Sequence, residues 1–153
     1  MKKKQLIIGV IGGSVIKNKK IGQLAYQIGK EIALHGHILI CGGMKGVMEL
    51  ASQGAKDYDG LTIGILPGKD KSDANPYIDI PIVTAMSHAR NAIITRTSDA
   101  VIAIDGEYGT LSEIALAKIL DKPVYGIHTW NIKGIIRINN PKKIIDDIEK
   151  RLL

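Results

Sequence analysis

The sequence has no phenylalanine, a single tryptophan and a single cysteine, and no apolar run in it approaches the length of a membrane-spanning helix. The lone cysteine, Cys41, excludes a disulfide within the chain and suits a reducing cytoplasm. These absences predict a cytoplasmic protein without a membrane partner.

Aromatic residues make up only 4% of the chain, although the formal net charge is +6. A nucleic-acid-binding surface usually gathers its basic residues on one element, with aromatic residues nearby. Here the basic residues are scattered along the chain, at residues 2–4, 17–20, 69–71 and 142–151. We therefore expect no nucleic-acid partner, while a small anionic ligand is compatible with the charge.

The remaining composition is that of an ordinary globular protein, with 45% hydrophobic and 24% charged residues. The chain has 153 residues and shows no linker, internal repeat or low-complexity stretch. Residues 1–153 are therefore predicted to form one domain.

Apolar runs of strand length alternate with helical patterns along the chain. The predicted strands are residues 6–11, 37–41, 61–66, 78–84, 100–104 and 123–127. The predicted helices are residues 21–34, 47–56, 87–97, 111–120 and 142–153. This alternation predicts an α/β fold with a doubly wound, mostly parallel sheet and helices on both faces. Residues 69–77 are predicted to be a mobile loop beside the ligand site that is described below. Residues 129–140 are left unassigned.

Three turns that contain glycine follow three of the predicted strands, and each precedes a predicted helix. In a parallel sheet with right-handed crossovers, the carboxyl ends of the strands share one edge, so the turns are expected to meet there. A glycine in one turn could serve only a tight connection, but three such turns favour a ligand that carries phosphate. The candidate binding residues in these turns are Gly12, Gly13, Ser14, Gly42, Gly43, Met44, Gly46, Val47, Gly106, Gly109 and Thr110.

Other common sites are absent from the sequence. No Gly-Lys-Ser or Gly-Lys-Thr follows a glycine at the spacing of a nucleotide-binding P-loop. The dinucleotide motif is missing too, and Cys41 and Gly42 stand where an NAD site would have an acidic residue, which argues against hydride transfer. His35 and His37 flank Gly36, and no two metal-ligating residues are recognised four apart on a predicted helix. No metal site is therefore expected.

Thr110, Glu113 and Arg90 each have two interpretations. Thr-x-x-Glu at the start of a helix is a capping box, in which the glutamate only accepts a hydrogen bond from the threonine backbone. Arg90, likewise, could be an exposed helix residue that pairs with a neighbouring acid. The functional alternative places Arg90 and Glu113 across one pocket, with the arginine on a phosphate or leaving group. The Glu113 carboxylate would then stabilise an oxocarbenium-like centre or activate water.

Four segments of the chain resemble the Lonely Guy (LOG) superfamily, within a match that runs from about residue 9 to residue 127. The segments are Gly-Gly-Met-Lys-Gly-Val-Met-Glu (42–49), Ile-Leu-Pro-Gly (65–68), Ala-Arg-Asn (89–91) and Gly-Glu-Tyr-Gly-Thr-Leu-Ser-Glu-Ile-Ala (106–115). The chain looks closest to the short bacterial branch that includes the molybdenum cofactor carrier proteins. Members of the superfamily have also been labelled lysine decarboxylases, but no lysine here lies in a recognisable pyridoxal phosphate setting.

The resemblance implies a Rossmann-like fold and a homo-oligomer, either a homodimer or a homotetramer. Enzymes of the superfamily hydrolyse nucleoside 5′-monophosphates to the free base and ribose 5-phosphate. Their catalytic glutamate and arginine correspond to Glu113 and Arg90, and their phosphate turn corresponds to Gly106, Gly109 and Thr110. This chemistry requires no cofactor, whereas the carrier branch binds a nucleotide or the molybdenum cofactor.

The chain departs from the enzymes at three positions, where Asp105 replaces a proline, Glu107 a glycine and Asn91 a lysine. Glu107 adds a negative charge beside the phosphate turn, and Asn91, itself a ligand-binding candidate, removes a positive one. Both changes weaken the inference of hydrolysis. We therefore predict binding of a phosphorylated nucleotide-like ligand, either a nucleoside monophosphate or a molybdenum cofactor-type pterin. Phosphoribohydrolase activity is the alternative.

Overall fold

A computed structural model describes residues 3–153 of the protein, so Lys2 of the basic run at residues 2–4 lies outside the described residues. The strands are β1 (Ile7–Gly12), β2 (Ile38–Cys41), β3 (Leu61–Leu66), β4 (Ile80–Val83), β5 (Ala100–Ile104) and β6 (Val124–Ile127). The α-helices are α1 (Lys19–Leu34), α2 (Val47–Asp57), α3 (Asn91–Thr97), α4 (Tyr108–Ile119) and α5 (Pro141–Leu152). Short 3₁₀ turns lie at Lys71–Asp73 and Ser87–Arg90. No helix in this part of the chain has the length and apolar character needed to cross a membrane.

The six strands form one sheet in the order β4-β3-β2-β1-β5-β6, and each neighbouring pair is parallel. The predicted doubly wound α/β fold is confirmed, with a sheet that is wholly rather than mostly parallel. The chain winds outward from β1 to β4 and then returns to the other side of β1, where β5 pairs with it. The strand order thus reverses between β1 and β5, which is where open α/β sheets bind their ligands.

Helices cover both faces of the sheet because its central strands are apolar on both faces. All five residues of β5 are buried. Ile102 and Ile104 of this strand pack with residues of α1, α2 and α5, whereas Val101 and Ala103 pack with residues of α3 and α4. The consecutive apolar residues of one strand therefore contribute to two separate cores.

Helices α1 and α2 cross in backbone contact at two glycines. A Cβ atom at Gly29 would lie 1.8 Å from the carbonyl oxygen of Ala51, and one at Gly54 would lie 2.0 Å from that of Tyr26. Neither position can hold a side chain unless the helices move apart. Because α1 and α2 follow the first and second glycine turns, this crossing helps to set where those turns lie.

Three segments differ from the prediction or were not predicted. Helix α4 begins at Tyr108, three residues before the predicted start at residue 111. The predicted helix 87–97 is a 3₁₀ turn followed by α3, because Ser87 has a φ of 52°, which an α-helix cannot accommodate. The unassigned residues 129–140, all of them described, contain no helix or strand, although Ile136 forms an isolated bridge to Tyr125. The other predicted boundaries lie within two residues of the observed ones.

Residues 69–77, predicted to be a mobile loop, are anchored to the second glycine turn by Asn75. The Asn75 side chain is buried, and its Nδ2 donates to Met44 O at 2.8 Å. Its backbone N–H donates to Gly43 O, also at 2.8 Å. These contacts hold the segment beside the turn and argue against free movement.

We expect Gly29→Ala to lower the free energy of unfolding by about 2 kcal/mol, because the new methyl group must push α2 away from α1. Chemical denaturation of the purified variants measures this change. Gly22→Ala is the matched control in the same helix, since the nearest atom there is the flexible Leu50 Cδ1 at 3.1 Å. A Gly29→Ala variant as stable as the Gly22→Ala control would contradict the backbone contact.

Candidate functional site

The structure brings the three glycine turns together at the carboxyl edge of the sheet. The Val47 N–H, at the start of α2, donates to Gly13 O at 3.0 Å. A Cβ atom at Gly46, whose φ is 69°, would lie 2.3 Å from the same oxygen. On the other side, a Cβ atom at Gly13 would lie 3.7 Å from Gly106 Cα. The first turn is therefore in contact with both of the others.

A cleft of about 340 Å³ opens between the turns. The predicted site residues that line it are Gly12, Gly13, Ser14, Met44, Arg90, Asn91, Gly109, Thr110 and Glu113. It is also lined by four residues that the sequence analysis did not predict as site residues: Met48, Pro67, His88 and Glu107. Three of these lie within the segments that resemble the LOG superfamily, so the resemblance could have identified them, whereas His88 lies just outside.

The other predicted residues do not line the cleft but shape the backbone around it: Gly42, Gly43, Gly46, Val47 and Gly106. Gly42 leaves room for Arg90, because a Cβ atom there would lie 2.7 Å from Nη2. Gly106 has a φ of 105°, and a Cβ atom there would lie 2.2 Å from Thr110 Oγ1. These residues are therefore required by the geometry of the turns rather than by direct exposure to a ligand.

Arg90 is buried in the wall of the cleft rather than exposed on a helix. Its Nε donates to Ile65 O at 2.8 Å, and its Nη1 donates to Asn91 Oδ1. Asn91 Nδ2 donates in turn to Ser112 Oγ at 3.2 Å, and that hydroxyl donates to Gly109 O at 2.7 Å. The interpretation of Arg90 as an exposed residue that pairs with an acid is wrong, since no carboxylate among the described residues forms an ion pair with it. Asn91, where the enzymes have lysine, instead holds the guanidinium in place.

Glu113 faces the same cleft and is only 7% exposed. The capping-box interpretation is wrong, because α4 begins at Tyr108 with Glu107 at its N-cap, which places Thr110 inside the helix. Burial raises the pKa of Glu113 to about 8, and the positive charge of Arg90 opposes this shift. The carboxyl group is consequently protonated for the most part at neutral pH, and it can donate a hydrogen bond or a proton.

Glu107, the additional negative charge of the phosphate turn, is exposed and paired. Its side chain is 73% exposed, and its Oε1 lies 3.2 Å from Lys17 Nζ. The same ammonium lies 3.3 Å from Asp105 Oδ1, and Glu107 and Asp105 together raise the pKa of Lys17. The backbone oxygen of Glu107 also accepts a hydrogen bond from Trp130 Nε1 at 3.1 Å. A lysine of the loop between β1 and α1 thus offsets the charge that Glu107 introduces.

The cleft combines positive potential with apolar surface. The N–H groups in the first turn of α4, at Gly109 and Thr110, have no partners within the helix, and the helix dipole adds to their attraction for anions. Arg90 adds a buried positive charge. Burial lowers the pKa of its guanidinium, but the group stays protonated. Met44 and Met48 provide polarizable apolar surface. The arrangement suits a ligand in which an anionic group is attached to a ring.

Residues 5–151 match the model of the SLOG cluster4 family. An uncharacterized protein of Archaeoglobus fulgidus is 49% identical over 114 residues, which are 74% of each chain. The cytokinin riboside 5′-monophosphate phosphoribohydrolase LOG of Oryza sativa is 34% identical over 119 residues, which are 75% of this chain and 48% of that enzyme. The chain therefore spans about half the length of this enzyme.

Solved structures match over nearly the whole chain. The molybdenum cofactor binding protein of Rippkaea orientalis is 38% identical, with a TM-score of 0.92 over 99% of this chain and 100% of that one. The Moco carrier protein of Chlamydomonas reinhardtii is 34% identical, with a TM-score of 0.87 over 97% of this chain and 98% of that one. DNA processing protein A of Helicobacter pylori is only 19% identical, with a TM-score of 0.72 over 95% of this chain and 81% of that one. It shares the fold alone.

We expect Gly46→Ala to destabilise the protein by about 3 kcal/mol, because its positive φ disfavours a side chain and the new Cβ would collide with Gly13 O. Thermal unfolding measures the loss as a lower Tm. Gly109→Ala is the control, since nothing lies within 4 Å of a Cβ atom at that glycine. If both variants unfold at the wild-type temperature, the two turns are not packed as described.

The raised pKa of Glu113 predicts that stability depends on pH. The folded protein binds this proton more tightly than the unfolded chain, so the group's contribution to stability falls as the pH rises from 4.5 towards 8. Relative to wild type, Glu113→Gln should therefore gain about 4 kcal/mol in unfolding free energy between roughly pH 5 and pH 9.

Chemical denaturation at both pH values measures this gain. Glu107→Gln, which removes an exposed carboxylate beside the same cleft, is the matched control and should keep the wild-type profile. Parallel pH profiles for wild type and Glu113→Gln would show that Glu113 ionises as an ordinary glutamate.

Proposed function

The chain belongs to the SLOG cluster4 family, and we propose that it binds a molybdenum cofactor-type ligand in the cleft between the glycine turns. The observation that carries this proposal is the buried charge of Arg90, which Ile65 and Asn91 hold at the cleft beside the first turn of α4. The similarity to the Rippkaea and Chlamydomonas proteins, which extends over almost the full length of each chain, supports this class of ligand.

In this proposal each part of an anionic pterin has a matching part of the cleft. The N–H groups of Gly109 and Thr110 hold the phosphate, because a helix N-terminus attracts anions. Arg90 supplies a charge-assisted hydrogen bond, and Met44 and Met48 pack against the ring. Glu113, protonated at neutral pH, donates a hydrogen bond instead of repelling the anion. The bound group is the cargo, so the protein requires no cofactor of its own.

Hydrolysis of a nucleoside 5′-monophosphate is the second candidate function. Arg90 and Glu113, which correspond to the catalytic pair of the LOG enzymes, line the same cleft. A protonated Glu113 could act as a general acid towards a departing base, while Arg90 stabilises the phosphate side. The replacement of a lysine by Asn91, and a match to only half the length of the rice enzyme, make binding without turnover the preferred function.

The quaternary structure and location are proposed on the same basis. We infer a homodimer or a homotetramer from the family resemblance, and a cytoplasmic location from the single cysteine. Cys41 is fully buried, and burial raises the pKa of its thiol. It is therefore suited to a role as a small core residue and not to one as a nucleophile.

Purified protein mixed with molybdenum cofactor under anaerobic conditions should retain the cofactor on a desalting column, measured as pterin fluorescence after oxidation. Arg90→Met should weaken retention about tenfold or more, because a hydrogen bond to a charged group contributes about 1.5–3 kcal/mol. Arg96→Met, which removes an exposed arginine of α3, should retain it as wild type does. No retention by wild type, or equal retention by wild type and Arg90→Met, would refute the proposal.

Incubation with AMP and the other nucleoside monophosphates, followed by chromatography, tests the second function. We expect no free base. Base that wild type releases and Glu113→Gln does not would instead establish phosphoribohydrolase activity and overturn the role as a binding protein.

A further inference from the structure

A group of titratable side chains lies where the end of α1 meets α5. His35 directly follows the last residue of α1, and Glu31 lies four residues before it, on the same side of the helix. Asp146 and Glu149, three residues apart on α5, face this histidine. One ring nitrogen of His35 and one oxygen from each of Asp146 and Glu149 all lie within 4.8 Å of one another.

The His35 imidazole has a carboxylate beside each of its nitrogens. Nδ1 lies 3.3 Å from Glu149 Oε1, whereas Nε2 lies 3.8 Å from Asp146 Oδ1 and 3.7 Å from Glu31 Oε2. The donor atoms of a tetrahedral zinc site are about 3.3 Å apart, whereas the three donors here lie within 4.8 Å of one another, so the half-exposed Asp146 side chain must rotate towards Nδ1 and Glu149 to complete the site. When Nδ1 binds the ion, Nε2 still faces Glu31 Oε2 at 3.7 Å, and a carboxylate beside the second nitrogen is the arrangement that orients histidine ligands.

The charge around His35 is not balanced by the neighbouring lysines. Two of the three carboxylates pair with a lysine: Glu149 with Lys3 at 2.6 Å and Asp146 with Lys142 at 2.9 Å. Glu31 pairs with no lysine or arginine in the described part of the chain. The group therefore has a surplus negative charge, which a cation would offset.

A hydrogen bond from the buried His37 holds Glu149 in place. His37 Nδ1 accepts a hydrogen bond from the Leu6 N–H at 3.2 Å, so Nε2 carries the ring proton and donates to Glu149 Oε1 at 2.8 Å. Leu6 and His37 directly precede β1 and β2, so the group lies at the amino edge of the sheet, opposite the cleft.

We propose that His35, Asp146 and Glu149 bind one divalent transition metal ion of the zinc or cobalt type, with Glu31 as the nearest further carboxylate. One imidazole nitrogen with carboxylate oxygens suits these ions better than magnesium or calcium, which take oxygen ligands. The 47% exposure of Asp146 leaves room for water as a further ligand. The ion would tie the end of α1 to α5, a structural role independent of the cleft.

Titration with ZnCl₂ by calorimetry, and with CoCl₂ by visible absorption, should show one ion bound per chain. At a zinc concentration one hundred times the Kd, the Tm should rise by about 5 °C. His35→Gln and Asp146→Asn should each weaken binding about tenfold or more. Lys142→Met should strengthen it severalfold, because the variant frees Asp146 from its ion pair.

His128→Asn removes an exposed histidine outside this group and should bind zinc as wild type does. Asp146→Asn changes a half-exposed side chain, so it tests the site even if His35→Gln does not fold. Zinc affinity that is unchanged in Asp146→Asn, or that is lost in His128→Asn, would overturn the assignment. The absence of zinc binding to the wild-type protein would overturn it as well.

Discussion

The close pairing of β1 with β5 is the constraint on which the rest of the arrangement depends. Two positions of β1 have no room for a side chain: a Cβ atom at Gly9 would lie 2.4 Å from Ser98 Oγ, just before β5, and one at Gly12 would lie 2.4 Å from Ile104 O, at the end of β5. Because β1 and β5 are adjacent parallel strands, the turns that follow them meet at one edge of the sheet, at the point where the strand order reverses. The cleft that results receives Arg90 and Glu113 from elements on one face of the sheet.

The fold could be predicted because its determinants are local. A buried parallel strand such as Ala100–Ile104 needs only consecutive apolar residues, and glycine marks where such a strand must turn. The prediction failed where the backbone conformation departs from what residue types suggest. Ser87 adopts a positive φ that its side chain disfavours. Helix α4 begins at Tyr108, before the apolar pattern from which the helix was predicted.

The sequence could predict the turns of the candidate site and the presence of Arg90 and Glu113 in it, but not the surroundings of these side chains. The burial of Arg90 depends on the Ile65 carbonyl, and the pairing of Lys17 with Glu107 joins loops that are distant in sequence. The protonation of Glu113 follows from its burial, which no spacing reveals. The grouping of His35 with α5 could not be predicted either, because helical spacing indicates neighbours on one helix but not contacts between two helices.

Asn75 makes the segment 69–77 part of the wall of the second turn rather than a separate flap. The two hydrogen bonds that Asn75 donates end on backbone carbonyls of that turn, at Gly43 and Met44, and the turn is packed against Gly13 through Gly46. The segment and the turn should therefore open together as one cooperative unit, and their amide hydrogens should exchange with solvent at a shared rate. The shape of the cleft at Met44 then depends on the stability of that unit.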